Sequence, residues 1–452
     1  MAIKLLPLCL INVKKEMFRL TTISFGFIYL IFFPLYKNFH SSRNNKIDDV
    51  LVYPKLVAKF YAERNNKLFW FNGENSQLQL RSKLKKFIDS TLTTGTYKSR
   101  YHFDQINSTI DQSFSAADSI SAFNIDKIYT DAAITLCKDL YQGYGVKNWI
   151  SIDQVSASRE NDDNNFLLQQ LLTLKSGSDL EQLIRSLSPN DEEYITIQQG
   201  LYQQGKTFSP FQKKKIILSL NLYRWMHHFH FKKWIVVNIA SATLRYYEED
   251  SLKLRMKVIV GKTSKRTPRF AAYCNQVILY PYWNVPQSIT LNELLPDFKK
   301  DPSIIDNLNM QIIDSRGNIV EPYKLNWNEY DRNYFPFRVR QSTGCDNSLG
   351  VIKFDLTSPF SVYLHDTNAK NLFLSDKRYF SHGCIRLEYP LQLANYLLPN
   401  VIDSSFLKAC LKNEIPDTLH LPEHVPAFVV YQPVEALDGE AHFFADIYRL
   451  IK

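Results

Sequence analysis

The residues best suited to chemistry in this 452-residue sequence lie close together near its C-terminal end. Tyr363-Leu364-His365-Asp366 is followed by Ser381-His382-Gly383-Cys384-Ile385-Arg386-Leu387. A cysteine with two histidines nearby points to a thiol nucleophile, because the thiolate is the reactive form and an adjacent imidazole can take its proton. Gly383 lets the backbone turn just before the sulfur. The N–H groups of Gly383 and Cys384 can then face an oxygen that becomes negative. Two blander readings compete. A cysteine is usually a small buried hydrophobe, and by that reasoning Cys137, Cys274 and Cys410 are core residues. His-x-Cys is also half of a metal site, although only His365 offers a third ligand. A second histidine group, His227, His228 and His230, places two members at i, i+3. It lacks acidic or cysteine partners in the sequence and reads as packing or solvated surface.

The elements that must position these residues change character along the chain. From Asp48 to about Gly205 or Ser209 the pattern is helical. Leu80, Leu84, Phe87 and Ile88 share one helix face, and Ser178 with Glu181 has the spacing of a capping box. That box would open a helix bearing Leu180, Leu183, Ile184 and Leu187 and ending at Ser188-Pro189. A further helix carries Tyr194, Ile197 and Leu201, with Gly205 placed to cap it. Ser158–Asn165 (SRENDDNN) reads as a polar loop. From Trp234 the period becomes two. Trp234–Ile239 reads as a buried strand, and Leu252, Leu254, Met256 and Val258 alternate with lysines and an arginine. Further strands are expected at Gln276–Tyr280, Val351–Leu356, Ser361–His365 and Ala427–Tyr431. Asn292–Gly350 reads as a long irregular interruption, and Asp438-Gly439 as a hairpin turn.

Composition sets the frame. Hydrophobic residues make up 45% and charged residues 22%, which is too apolar for a disordered chain. The net charge of +9 suits an anionic partner such as nucleic acid, a membrane surface or a cell-wall polymer. Six cysteines are too few for a disulfide scaffold, and no C-x-x-C pair suggests zinc. Leu20–Tyr36 carries no charge and follows Lys4, Lys14, Lys15 and Arg19, the pattern of an export signal or signal anchor. Its span of about 25 Å is short for a bilayer. With no convincing cleavage site after it, an uncleaved anchor is expected.

The arrangement His365-x15-Ser381-His382-Gly383-Cys384 resembles the signature of the L,D-transpeptidases of bacterial peptidoglycan. Val258–Lys262 with Thr267-Pro268, Pro281–Pro286 and Asn347–Gly350 extend the likeness, which looks like that of the large, exported YcbB-type subfamily. Arg386 stands where many members of the wider family have Asn. The resemblance implies an α+β chain, with an N-terminal helical scaffold followed by a β-rich catalytic domain. The expected divisions are an export or anchor segment at 1–47, a scaffold at 48–231 and a catalytic domain at 232–435. A capping segment is inserted at about 292–350, and an extension follows at 436–452.

Carried over residue by residue, the resemblance makes Cys384 the nucleophile and His365 its base, with the Asp366 carbonyl holding the imidazole. Gly383 and Cys384 N–H groups and the Tyr363 hydroxyl would form the oxyanion hole, while Ser381 and His382 shape the site. Arg386 would meet a substrate carboxylate unless it serves a structural ion pair. Trp283 and Tyr282 would line a groove, or simply pack. No metal or other cofactor is implied. The implied partner is peptidoglycan stem peptide rather than nucleic acid, in the periplasm, with attachment to the membrane through the N-terminal segment. Release of the same acyl-enzyme to water or to a wall protein, or a non-catalytic wall-binding scaffold, are the rival readings.

Overall fold

The computed structural model describes residues 45–90, 95–114, 118–156 and 159–451. The apolar run Leu20–Tyr36 and Cys9 lie outside these residues. Among the described residues no helix is long and apolar enough to cross a membrane.

The helical part is organised around Ser119–Gln142, most of whose length is buried. Helix Asn75–Asp89 presents Leu80, Leu84 and Ile88 to the same core, as its spacing predicts. Buried Asp126 in the long helix accepts hydrogen bonds from the backbone N–H groups of Phe69, Trp70 and Phe71, which pins an otherwise irregular turn. Tyr194, Ile197 and Leu201 are buried on helix Glu192–Gln204, and Gly205 caps it in a right-handed conformation.

Two local expectations are corrected here. Ser158–Asn165 is not simply a polar loop, because a helix runs from Glu160 to Leu172. Glu160, Asp162 and Asp163 in its first turn complement the helix dipole, while Leu167, Leu168 and Leu171 enter the core. The capping box is formed by Ser176 and Asp179 rather than by Ser178 and Glu181. Glu181 is drawn away to Lys83, 2.5 Å distant on another helix.

The β part is a closed sheet. Its strands are β1 (Ile152–Asp153), β2 (Lys233–Asn238), β3 (Thr243–Glu248), β4 (Ser251–Gly261) and β5 (Phe270–Leu279), with β6 (Trp283–Asn284), β7 (Met310–Ile313), β8 (Ile319–Val320) and β9 (Arg338–Gln341) set apart. They continue as β10 (Ile352–Leu356), β11 (Leu364–His365), β12 (Tyr379–Ser381), β13 (Ile385–Leu387), β14 (Asp417–Val430), β15 (Val434–Leu437) and β16 (Glu440–Phe443). The order β5-β10-β11-β13-β4-β3-β2-β14 returns to β5, because β14 pairs with both β2 and β5. This closure makes a barrel without free edges. Strand β1, contributed from the helical half, adds to β5 in parallel. The expected strand at Ser361–His365 shortens to Leu364–His365. Asp438 and Gly439 both have positive φ and turn β15 into β16, as expected of a two-residue hairpin.

The stretch expected to be irregular is folded. Strands β6, β9, β7 and β8 form a separate sheet, and Leu295, Phe298, Ile305, Ile312, Trp327 and Val339 fill a core of their own beneath it. Its apolar residues are spread over short elements, so no single window shows a period. Cys410 is not a core thiol either, since it is disulfide-bonded to Cys345 and ties the end of this subdomain to the segment after helix Ser404–Lys408. Cys137 and Cys274 are free and buried.

Candidate active site

Strand register brings the predicted residues together. β11 and β13 run in parallel with Leu364 beside Ile385 and His365 beside Arg386. One residue earlier on each strand stand Tyr363 and Cys384, and Tyr363 accepts the Ile385 N–H at 3.1 Å. On the other side, β10 sets Lys353 opposite His365.

His365 is almost fully buried, and its Nδ1 lies 2.5 Å from the Asp366 carbonyl oxygen. A carbonyl can only accept, so Nδ1 carries the proton and Nε2 is left as the basic nitrogen. The Asp366 carboxylate is itself held by the Val351 N–H at 3.0 Å and by Lys370. Burial lowers the His365 pKa to about 3, with Arg386, Lys353 and Lys370 adding to the effect. Burial raises the Cys384 thiol, while hydrogen bonds from Tyr363 and the charges of Lys353 and Arg386 act the other way. Both shifts favour the neutral form of each group, thiol and imidazole.

Tyr363 is within hydrogen-bonding reach of both Cys384 and Trp283. The Lys353 ammonium sits 4.6 Å from the Tyr363 ring centroid and 2.5 Å from Asp355. Trp283 opens β6 and packs against the core of the inserted subdomain, so the predicted aromatic does reach the site. Tyr282 instead lies under the Arg340 guanidinium, 4.0 Å from its ring centroid.

The turn that carries the sulfur is tightly bonded. Gly383 has φ +125°, a conformation that disfavours side chains. Ser381 Oγ donates to the Cys384 carbonyl at 2.6 Å and accepts the Gly383 N–H at 3.1 Å. The expectation that both N–H groups face an oxyanion is thereby narrowed. Gly383 is engaged by Ser381, whereas the Cys384 N–H has no protein acceptor among the described residues.

Arg386 is partly buried, and its Nε lacks a partner. Among the described residues no carboxylate lies within ion-pair distance of it. His382 is more exposed and bonds through Nε2 to Glu293 Oε1 at 2.8 Å. Glu293, which no pattern in the sequence singles out, sits in the π-turn Thr290–Leu294 of the inserted subdomain. Lys353 was missed as well, although its place opposite His365 follows once β10 and β11 are paired.

The trio His227, His228 and His230 does not assemble. Contrary to the sequence reading, two of its members have acidic neighbours, but different ones. His227 faces Asp191 and His228 faces Asp163, each at 3.7 Å. Among the described residues no cluster of three potential ligands could hold a metal.

Residues 232–403 match the L,D-transpeptidase catalytic domain (YkuD) family, and residues 55–201 match a scaffold domain family. A Haemophilus influenzae protein assigned as an L,D-transpeptidase is 32% identical over 359 residues, covering 78% of this chain and 68% of that protein. The chain belongs to the L,D-transpeptidase family. Solved structures of L,D-transpeptidases are similar to part of the chain at much lower identity. One from Mycobacterium smegmatis is 14% identical, with 44% of this chain and 58% of that one covered and a TM-score of 0.22. One from Mycobacterium tuberculosis is 11% identical, with 44% and 57% covered and a TM-score of 0.18. The chain thus spans somewhat over half the length of each of these two. Peptidoglycan is the substrate this family implies.

Proposed function

We propose that this protein is an exported peptidoglycan L,D-transpeptidase that makes 3→3 cross-links. The observation that carries the reading is the parallel pairing of β11 and β13, which brings His365 and the turn bearing Cys384 to neighbouring strands, with the imidazole fixed in one tautomer by the Asp366 carbonyl. Cys384 Sγ attacks the carbonyl between the third-position diamino acid and the terminal D-Ala of a tetrapeptide stem. The thiol proton passes to His365 Nε2, and the carbonyl electron pair moves onto oxygen facing the Cys384 N–H and the Tyr363 hydroxyl. Collapse breaks the C–N bond, and D-Ala leaves with the proton from His365. The thioester is then attacked by the side-chain amine of a second stem. His365 takes the amine proton and returns it to the departing sulfur.

Arg386 fits the carboxylate of the donor stem, because its partly buried guanidinium has an unpartnered Nε and no acidic partner among the described residues. Trp283 lines the approach to Tyr363. The inserted subdomain, residues 292–350 with the β6 strand before them, covers the site when the stem is bound. Residues 1–47 export and anchor the chain, 48–231 serve as its scaffold, 232–435 carry catalysis and 436–452 form the terminal extension.

Tetrapeptide muropeptides incubated with wild type and with Cys384→Ala test the whole reading by mass spectrometry. Wild type should yield 3→3 dimers and free D-Ala, and the variant neither. Tripeptide without dimer would replace transpeptidation by hydrolysis.

A further inference from the structure

The segment Val258–Lys262 with Thr267-Pro268 has no part in the mechanism above, yet it runs directly behind the nucleophile. β12 joins β4 there, with Ser381 beside Gly261. The chain doubles back so tightly that a Cβ on Gly261 would lie 2.1 Å from the Lys265 carbonyl oxygen. This fold returns Thr267 to the turn. Its hydroxyl accepts the Gly261 N–H at 2.9 Å and donates to the Gly383 carbonyl at 2.8 Å. Tyr448, from the C-terminal extension, completes the ring. Its hydroxyl accepts the Thr267 N–H at 3.2 Å and donates to the Gly261 carbonyl. All three groups are buried.

We infer that Thr267, braced by Tyr448, is a positioning residue for acyl transfer that aims the Cys384 N–H at the oxyanion by holding the Gly383 carbonyl. The physical reason is the planarity of the peptide. In a trans peptide the C=O and N–H point in opposite directions, so fixing the Gly383 oxygen on the Thr267 side turns the Cys384 N–H to the other side. Gly383, at φ +125°, would otherwise leave that peptide plane free to rotate. The Gly383 N–H is already occupied by Ser381, so the Cys384 N–H is the backbone donor that remains. Its orientation then controls how well the tetrahedral oxygen is stabilised. The inference rests on Cys384 being the acylated nucleophile.

Two reactions of the full chain separate positioning from mere structural support. Acylation by imipenem passes through a tetrahedral oxyanion. The sulfur adds to the lactam carbonyl, the C–N bond breaks, and the ring nitrogen takes the proton. Alkylation by iodoacetamide displaces iodide and forms no oxyanion. Thr267→Val should slow imipenem acylation about 100-fold, with alkylation within about 2-fold of wild type. Thr267→Ser should restore acylation, and Tyr448→Phe should fall between. Unchanged acylation in Thr267→Val overturns the inference, as does an equal loss of both reactions. If Thr267→Val does not fold, Tyr448→Phe decides by the same comparison. A wild-type chain that alkylates but forms no imipenem adduct would overturn the reading of Cys384 on which this rests.

Discussion

His382 and Glu293, 89 positions apart in the chain, meet at 2.8 Å. His382 belongs to the turn that carries the sulfur, while Glu293 belongs to the inserted subdomain. This side-chain bond ties the inserted subdomain to the turn that carries Cys384. Both groups are partly exposed, so solvent competes for them and the bond is a weak latch. In the proposed function, where the subdomain covers the bound stem, a weak latch lets it open for the peptide to enter.

Glu293→Ala should accordingly act on substrate binding more than on chemistry. We expect KM for a tetrapeptide donor to rise about 3-fold, with kcat within about 2-fold, because an exposed pair contributes at most about 1 kcal/mol. Steady-state D-Ala release provides the measurement. A loss of kcat beyond 10-fold would place Glu293 in the chemistry instead.

The neutral resting pair sets a pH signature. The Cys384 thiol is raised by burial, and His365 stays uncharged down to about pH 3. Iodoacetamide alkylation of Cys384 should rise about tenfold per pH unit from 6 to 8 and show no plateau below about pH 9. Peptide mapping by mass spectrometry follows it. A plateau near pH 6 would mean a preformed thiolate–imidazolium pair.

The candidate pair His365 and Cys384 is legible in the sequence because it depends on residue type and short spacing. The amphipathic helices were visible because each buries one face. What escaped depends on pairing across long separations. Nothing near Ile152 reveals that it adds to β5, nor does the pattern of Asp417–Val430 show that this strand closes a barrel. The misplaced capping box is instructive, since Ser176-x-x-Asp179 and Ser178-x-x-Glu181 fit the same pattern. The tertiary partner Lys83 claims Glu181 and decides between them. Glu293 and Lys353 gain their significance only from strands and turns folded against them.

The Cys345–Cys410 disulfide closes a loop spanning 65 positions. Loop-closure entropy puts its contribution at about 4 kcal/mol, so Cys345→Ser with Cys410→Ser should lower the urea midpoint clearly. Native labelling should leave Cys137 and Cys274 unreacted, since both are fully buried and their thiols are pushed up to about 12. Cys384 should label without reductant, and Cys345 and Cys410 only after reduction. Equal labelling of Cys345 and Cys384 in native, unreduced protein would contradict the pairing.

Glu193 is the ionic joint between the helical part and the barrel. Its carboxylate meets the buried Arg245 of β3 and Arg255 of β4, and it accepts from Tyr223 at 2.6 Å and Tyr247 at 3.2 Å. Without it, Arg245 keeps only Glu435 as an ionic partner among the described residues, at 3.5 Å. Glu193→Gln leaves that buried guanidinium undercompensated and should cost about 3–5 kcal/mol in urea denaturation. Burial alone would raise the Glu193 pKa, but Arg245, Tyr223 and Arg255 outweigh it and hold the carboxyl below its ordinary value. Below the unfolded value near 4.5, the unfolded chain binds the proton first, so stability falls with pH there. The wild-type advantage over Glu193→Gln should therefore be full above about pH 5 and shrink as the solution is acidified. An advantage that stayed constant down to pH 3 would show that Glu193 contributes by packing rather than by charge.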